Sequence, residues 1–458
     1  MSLQAVLPHN SAQPATTIDG GPAPGQLDIA IIGAGLVGLA TAAMMRKEAH
    51  RITIFESSSF HAEIGAGIVL TPNGVKVLKK LLPKLIFENL QTVDLRTMDT
   101  FDTNGTPMGV MDLSAGWETH PEGWLMMHRV DVHKELMRLA LEPDTDALPP
   151  AIIRLGKHIE AISFDAEHPS LTIAGGEEFK FDLILGADGI KSTVRRCMIG
   201  TEYEAPPSLM AFYRWMVDLK KNPEVAWIRD DRKITGTTNV MGKSVFLFMY
   251  PVRGGNLINI SAPHMDKRDK EAIGDYCKFC AVLSNLAAFE DYGDKFLSFV
   301  KLAEKPRVWQ VRAMPVIPTW IKGNVALLGD AAHAMFPTYG QGFGMGLEDA
   351  AALTTLFPSG TKASEIPARL KAFQEIRKPR AEHIAKLSAD GMKSSKNMSA
   401  GVFCLRLITR SLLDEIVCQS NGCCPTCWIT ISLQPLVPLW PKFKAKLIDV
   451  VRLLYAIV

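Results

Sequence analysis

Three glycines and one acid have the types and spacing to hold a dinucleotide. Gly33, Gly35 and Gly38 stand in GAGLVG, and Glu56 follows eighteen residues after the last of them. In a GxGxxG run the first glycine permits a tight turn and the second lets backbone N–H groups approach a pyrophosphate. The third lets the following helix lie close to the preceding strand. A carboxylate ending the next strand can accept hydrogen bonds from both hydroxyls of a ribose. The elements that must position these residues surround them. Asp28 to Ile32 is a short β-branched run suited to a buried parallel strand, the residues after Gly35 are helical, and Arg51 to Phe55 is a second strand closed by Glu56. The helix turns the positive end of its dipole toward the phosphates. The pattern alone does not separate FAD from NAD.

A second dipole is set up between Gly323 and Leu356, GNVALLGDAAHAMFPTYGQGFGMGLEDAAALTTL. An apolar strand leads to Gly329 and Asp330, and a glycine loop then opens a helix near Gly342, whose N–H groups would face an electron-rich or anionic part of a ligand. His333 is either a catalytic base or a structural residue of the strand-to-helix turn, the commoner role there. Other candidates lie between these stretches. Gly65 and Gly67, in EIGAGIVLTPNG, mark either a bare turn or a point where backbone passes close to a flat cofactor. The helix after them shows Val75, Leu78, Leu81 and Leu82 on one face. Arg129 precedes a helix with the stripe Val132, Leu136 and Leu139, for which Asp131 is the expected N-cap. Arg129 is a solvated cation, or a guanidinium fork for a cofactor phosphate. Asp188, between Gly186 and Gly189 at a strand end, is a carboxylate presented at a ligand crevice, or a turn residue.

Elsewhere the chain changes period. Val93 to Leu113 reads as a hairpin about TNGT at Thr103 to Thr106, on a sheet of its own. Ser208 to Pro263 reads as an antiparallel sheet without βαβ signals, with Arg214 and Tyr250 inside its strands. Arg214 is an edge-strand charge facing water and Tyr250 a half-buried aromatic, unless the two face a ligand. Arg214 shares a row with Phe212 and Met216. A charge in such a row is costly to bury unless paired. A phenolate or carboxylate would pair it, and Tyr250 could hydrogen-bond the same oxygen. Asp269 to Tyr292 is expected to be helical, with Cys277 and Cys280 as ordinary helix residues, and Pro367 to Ser388 forms a further helix. No second cysteine pair with zinc spacing sits nearby, so no metal site is expected.

The length, 458 residues, is about three domains' worth of chain. The formal charge is +2, with 50 basic against 48 acidic residues, which gives no net electrostatic footprint for nucleic acid. Eight cysteines without a disulfide pattern point to a reducing compartment, and so to the cytoplasm. Met1 to Gln26 has neither a basic start nor an apolar core and reads as a disordered lead-in rather than a signal or an anchor. From about Gly401 the chain is apolar and carries Cys418, Cys423, Cys424 and Cys427, with no uninterrupted apolar run near the roughly 20 residues of a spanning helix. That tail is the sole candidate for membrane association. Its CCPTC contains a CxxC without a βαβ pattern around it, so redox or zinc chemistry is not expected there. Oligomeric state is not readable.

Five elements thus stand in fixed order: GAGLVG, the acid at Glu56, Arg129 before a helix, GADG from Gly186, and GDAAH with its PTYGQG loop. Over about Leu27 to Asp390 this resembles the single-component FAD-dependent aromatic hydroxylases, the class of salicylate hydroxylase, kynurenine monooxygenase and their fungal secondary-metabolite relatives. The resemblance implies an α/β fold in which a Rossmann-like FAD domain with a parallel sheet (residues 27–92, 122–203 and 309–395, the last with a C-terminal helix) interleaves with an antiparallel substrate domain (93–121 and 204–308). The lead-in and a tail at 396–458 lie outside. It further implies that Gly33, Gly35, Gly38 and Glu56 hold the AMP half of FAD, that Gly67 and Arg129 contact the cofactor, and that Asp188 serves FAD and NAD(P)H. Asp330 would bind the ribitol or pyrophosphate side, and Pro337 with the backbone from Gly340 to Gly342 would line the isoalloxazine. Arg214 and Tyr250 would face the substrate. The implied reaction uses NAD(P)H and O2 to hydroxylate or epoxidise a small aromatic through a flavin hydroperoxide. A halogenase or reductase on the same scaffold, or a non-catalytic flavin protein, is the alternative, and no WxWxIP sequence of the halogenase type occurs. One departure is the helix after GQG, which reads FGMGLEDA where the family commonly carries an asparagine.

Overall fold

Buried β-branched runs pair in parallel where helices can cover both faces of a sheet, and the first half of this chain supplies them. In the computed structural model, which describes residues 25–59, 66–143, 148–165, 168–230, 235–266, 277–279, 286–304 and 306–393, Asp28–Ile32 pairs in parallel with Arg51–Glu56 on one side and Leu183–Gly186 on the other. Ile152–Leu155 and Val325–Leu327 extend the sheet in parallel, and Ile321–Lys322 closes one edge antiparallel. The helix Leu36–Met45 is buried from Gly38 onward. It lies against the helices Arg129–Leu141 and Gly342–Leu356. The approach to the latter requires glycine: a Cβ on Gly346 would stand 2.3 Å from a Val37 methyl.

The second layer is an eight-stranded sheet in the order Cys277–Phe279, Arg307–Arg312, Pro207–Asp218, Leu257–Met265, Phe246–Val252, Gly236–Met241, Thr97–Asp102 and Pro107–Asp112. It is antiparallel except where Gly236–Met241 runs parallel to Thr97–Asp102. That long-range pair takes the Thr97–Asp112 hairpin into the large sheet, apart from the parallel one, although neither segment bears a mark of the other. The central strands alternate from residue to residue. Trp215, Leu247, Met249, Ile258 and Ile260 face a core closed by Phe289, Phe296 and Phe299, while the interleaved residues face the first layer. A small sheet of Gly67–Leu70, Leu125–His128 and Val93–Asp94 bridges the two layers.

Three expectations are corrected. Cys277 lies in a strand paired with Arg307–Arg312, not in a helix, a tertiary pairing that local propensity does not reveal. Arg214 is on an interior strand, flanked on both sides, not at an edge. Asp131 is not an N-cap: the cap position is His128, and Asp131 sits in the first turn bound in fork geometry to Arg253 at 2.7 Å through each oxygen. Most of the lead-in, Gly65, Cys280, Cys404 and the tail with its CCPTC lie outside the described residues. Among the described residues no helix is long and apolar enough to cross a membrane.

The helix Ile366–Lys393 packs on Gly342–Leu356 through a buried ionic cluster. Arg377 binds Glu348 at 2.5 Å and Asp349 at 2.8 Å, and Arg380 binds Glu348 at 2.7 and 2.8 Å. Both acids are fully buried.

Candidate active site

Between the two layers lies a cavity of about 560 Å³. Its first group of lining residues comes from the parallel-sheet layer: Gly35, Leu36, Val37, Arg129, Ala187, Gly189 and Asp330. The second is the bridge and glycine loop, Gly67 to Val69 with Pro337 to Phe343. The third is the large sheet and its neighbours, where Phe212, Arg214, Phe246, Phe248, Tyr250, Ser261 and Pro263 meet Leu95, Met98 and Trp124.

The glycine loop is held from two directions. Glu56 Oε2 accepts the Ala34 N–H at 2.8 Å and Oε1 accepts the Ser58 N–H at 2.7 Å. An ionised carboxylate has further lone pairs to offer, so acceptor capacity toward a ribose remains. On the other side His133 Nε2 donates to the Ala34 carbonyl at 2.8 Å. His133 was missed in the sequence reading; its only signal is the one-turn spacing from Arg129 on the same helix face. Gly33 and Gly38 do not line the cavity. They pack against each other, a Cβ on Gly38 standing 2.0 Å from the Gly33 carbonyl oxygen, and Gly33 has φ 101°, the left-handed region.

Two helix N-termini open on the cavity without caps. Gly35 and Gln341 occupy the cap positions of Leu36–Met45 and Gly342–Leu356, and neither helix has a side-chain cap or an acid in its first turn. Their first N–H groups are unsatisfied by the helix itself. A Cβ on Gly35, Gly189 or Gly342 would meet nothing within 4 Å, so the cradle is open where backbone could approach a ligand. Such a site suits phosphates and a flat, electron-rich ring, and the residues present fit FAD.

The two candidate aspartates behave differently. Asp330 is exposed on the cavity, and enclosure by the surrounding walls pushes its carboxyl above the ordinary range against the pull of His333, Arg195 and Arg129. Asp188 is beside the cavity but turned away from it. Its carboxylate accepts from Ser192 Oγ at 2.5 Å and from the N–H groups of Thr193 and Val194 at 2.7 and 3.1 Å, at the start of the helix Thr193–Ile199. Burial pushes Asp188 up, and these hydrogen bonds pull the other way. His333 is enclosed under the loop, its Nε2 2.6 Å from Asp349 and its ring against Trp320. It has the structural role.

Gly67 is a point of contact between the layers. Its N–H donates to Asn259 Oδ1 at 2.7 Å, and a Cβ there would stand 2.6 Å from the Tyr250 ring and hydroxyl and 2.7 Å from Asn259 Cγ. The close approach that requires this glycine is that of the sheet, a neighbour that neither reading of the sequence named. Tyr250 stacks obliquely on Phe248, and burial pushes its hydroxyl well above the usual phenol range, with Arg214 offsetting a part. It stays protonated at any working pH. Arg214 is half-buried, its guanidinium 5.6 Å from the Phe212 ring centre and 5.8 Å from that of Trp309. Arg214 and Tyr250 are thus brought to one wall, as their alternation in separate strands requires.

A polar link that the sequence reading missed ties the loop to the helices behind it. Asn73 Nδ2 donates to Gln341 Oε1 at 3.1 Å and to Glu348 Oε1 at 2.8 Å, and its Oδ1 accepts from Thr71 at 2.6 Å. This amide lies 3.3 Å from where a Cβ of Gly344 would be, so an asparagine reaches the glycine-rich turn of FGMGLEDA from the helix Pro72–Leu81 instead.

The comparisons with known proteins agree with this geometry. The family described as FAD binding domain matches residues 26–388. Hispidin-3-hydroxylase of Neonothopanus nambi is 39% identical over 78% of this chain and 87% of its own length. A salicylate hydroxylase of Pseudomonas putida is 28% identical over 80% and 84%. Among solved structures, a salicylate hydroxylase substrate complex superposes with a TM-score of 0.66 at 23% identity, over 84% of this chain and 93% of that one. CtdE in complex with FAD and substrate gives 0.71 at 18%, over 81% and 90%. The cavity with two uncapped helix N-termini and a roofing sheet, together with a family match across most of its length, places this chain in the FAD-binding family of NAD(P)H-dependent flavoprotein monooxygenases, among the aromatic hydroxylases.

Proposed function

We propose that this enzyme hydroxylates, or epoxidises, a small acidic aromatic compound of phenolic or salicylate-like type in secondary metabolism, with NAD(P)H and O2 and in the cytoplasm. The observation that carries the substrate class is Arg214: a guanidinium set among Phe212, Phe246 and Phe248 on the wall of the same cavity that the two helix N-termini open on. When bound, FAD supplies the redox chemistry, taking electrons from NAD(P)H and activating O2. The chain's own residues bind, orient and exclude water. Gly35 and Gly342, which start the two helices opening on the cavity, would hold the cofactor together with Arg129 and Asp330, and Pro337 with the Gly340 to Gly342 backbone would receive its ring. Arg214 pairs the substrate anion, and Tyr250, held protonated by burial, donates a hydrogen bond to a substrate oxygen. The names of the hydroxylase relatives support an oxygenated aromatic substrate.

The test is Arg214→Gln in a screen of NAD(P)H oxidation and product formation. FAD content and slow uncoupled NAD(P)H oxidation are expected to persist while product falls at least ~10-fold, the scale of a lost charge-assisted hydrogen bond. Undiminished hydroxylation, or an accepted substrate with no acidic group, would return Arg214 to a purely structural role. A halogenase, a reductase or a non-catalytic flavin protein differs at the first step of the assay: substrate would not stimulate oxygen-dependent NAD(P)H oxidation with hydroxylated product.

A further inference from the structure

Three polar side chains crowd the start of the helix Gly342–Leu356. A Cβ on Gly344, in the first turn, would stand 3.2 Å from Gln341 Oε1, 3.3 Å from Asn73 Nδ2 and 3.3 Å from Thr71 Oγ1. Gln341 holds the cap position, and a cap side-chain oxygen ordinarily accepts from the second or third N–H of its helix. Gln341 caps nothing. The reason is a chain of orientations that begins at Glu348. Against the burial that would push it up, Arg380 and Arg377 hold the Glu348 carboxyl at about 2, so it is ionised and only accepts. Asn73 must therefore turn its amide nitrogen to Glu348, which it meets at 2.8 Å, while its Oδ1 takes the Thr71 hydroxyl at 2.6 Å. The same nitrogen also faces Gln341, which has to answer with its oxygen, at 3.1 Å. That oxygen is thus drawn off the first turn, whose residues Gly342 and Phe343 line the cavity with Gln341.

We propose that Asn73 is a positioning residue for FAD: by binding Gln341 Oε1 it keeps the N-terminus of Gly342–Leu356 uncapped, so that the cofactor and not a glutamine takes its N–H groups. The inference rests on the reading of that N-terminus as part of the FAD site. Gly344 leaves the space in which Asn73, Thr71 and Gln341 meet.

The experiment measures the FAD dissociation constant of the full-length holoenzyme by flavin fluorescence on dilution, with a thermal melt of each apoprotein alongside. Asn73→Leu, which keeps the branched shape and loses both N–H groups, is expected to weaken FAD about 5-fold, the scale of one helix cap, because Gln341 Oε1 is released to the first turn. Adding Gln341→Met, which carries no oxygen to cap with, is expected to bring the affinity back to within about 2-fold of the parent, while the melting temperature stays at the value of Asn73→Leu or below it. A merely structural asparagine predicts the opposite, a double variant that binds FAD no better than the single one. That result, or parent-like affinity in Asn73→Leu, overturns the proposal, and Asn73→Ala gives the same reading should the leucine variant not fold. Gln341→Ser, which installs a good cap residue in the parent, tests the underlying site by itself and is expected to weaken FAD by a similar factor. Unchanged affinity in Gln341→Ser would mean that the cofactor does not use this N-terminus, so that the reading of the site fails and the role of Asn73 with it.

Discussion

At the scale of single residues, the candidates chosen from sequence divide by what their side chains touch. Asp330 borders the cavity, whereas Asp188 spends its carboxylate on the turn that starts the helix Thr193–Ile199. Asp330→Ala is therefore expected to lose FAD with little change in the melting temperature of the apoprotein. Asp188→Ala should lower that temperature first, by the equivalent of ~1–2 kcal/mol for a lost helix-start acceptor, with any loss of NAD(P)H reactivity secondary. Flavin absorbance after reconstitution and a thermal melt of each variant decide it, and equal FAD occupancy in Asp330→Ala and the parent would refute the assignment. The contrast explains why the sequence could not rank them. Both acids follow a glycine near a strand end, and only the direction of the next turn separates a ligand contact from a cap. Asn73 and His133 were missed for a related reason: each acts across a contact made by a distant segment, Asn73 without a spacing signal and His133 with only its one-turn offset from Arg129.

Among the elements, the helices Gly342–Leu356 and Ile366–Lys393 are joined by a buried ionic cluster as well as by apolar surface. Burial alone would push Glu348 up, but Arg380 and Arg377, with hydrogen bonds from Arg380 and Asn73, outweigh it and hold the carboxyl at about 2 against an ordinary 4.5. Asp349 is likewise held low by His333 and Arg377 against the burial that would raise it. A carboxyl depressed in the folded state contributes stability that is complete above its unfolded value and is lost as pH falls through the folded one. For Glu348 that loss runs from about pH 4.5 down toward 2 and is on the order of 3 kcal/mol. The melting temperature of the holoenzyme should therefore drop steeply below about pH 4.5. Glu348→Gln, though destabilised throughout, should show a shallower acid slope. Parallel slopes would mean that another group governs acid unfolding. The helices themselves were legible from periodicity. Their joint was not, because nothing in the run Arg377, Lys378, Pro379, Arg380 tells which cations meet Glu348 and Asp349 until the two helices are packed.

For the molecule as a whole, the two layers meet across the cavity, and the parallel sheet with its glycine loop was readable from strand, turn and acid alone. The eight-stranded sheet was readable strand by strand but not in its order, since the parallel pair Gly236–Met241 with Thr97–Asp102 joins segments more than a hundred residues apart that bear no mark of each other. A ligand that fills the seam binds only the folded form. Saturation with FAD at 100 times its dissociation constant is expected to stabilise the protein by about 2.7 kcal/mol, seen as a concentration-dependent rise in melting temperature, whereas NAD at the same concentration should give a much smaller rise. A rise with NAD and not with FAD would sink the cofactor assignment. The alternation of the large sheet has one further implication, for redesign. Positions 212, 214, 246, 248, 250, 261 and 263 look into the cavity, while 215, 247, 249, 258 and 260 between them build the other core. A combinatorial library confined to the first set can re-tune substrate preference on a rigid, fully hydrogen-bonded frame, whereas one spread evenly along the strands would spend half its diversity on unfolding the scaffold.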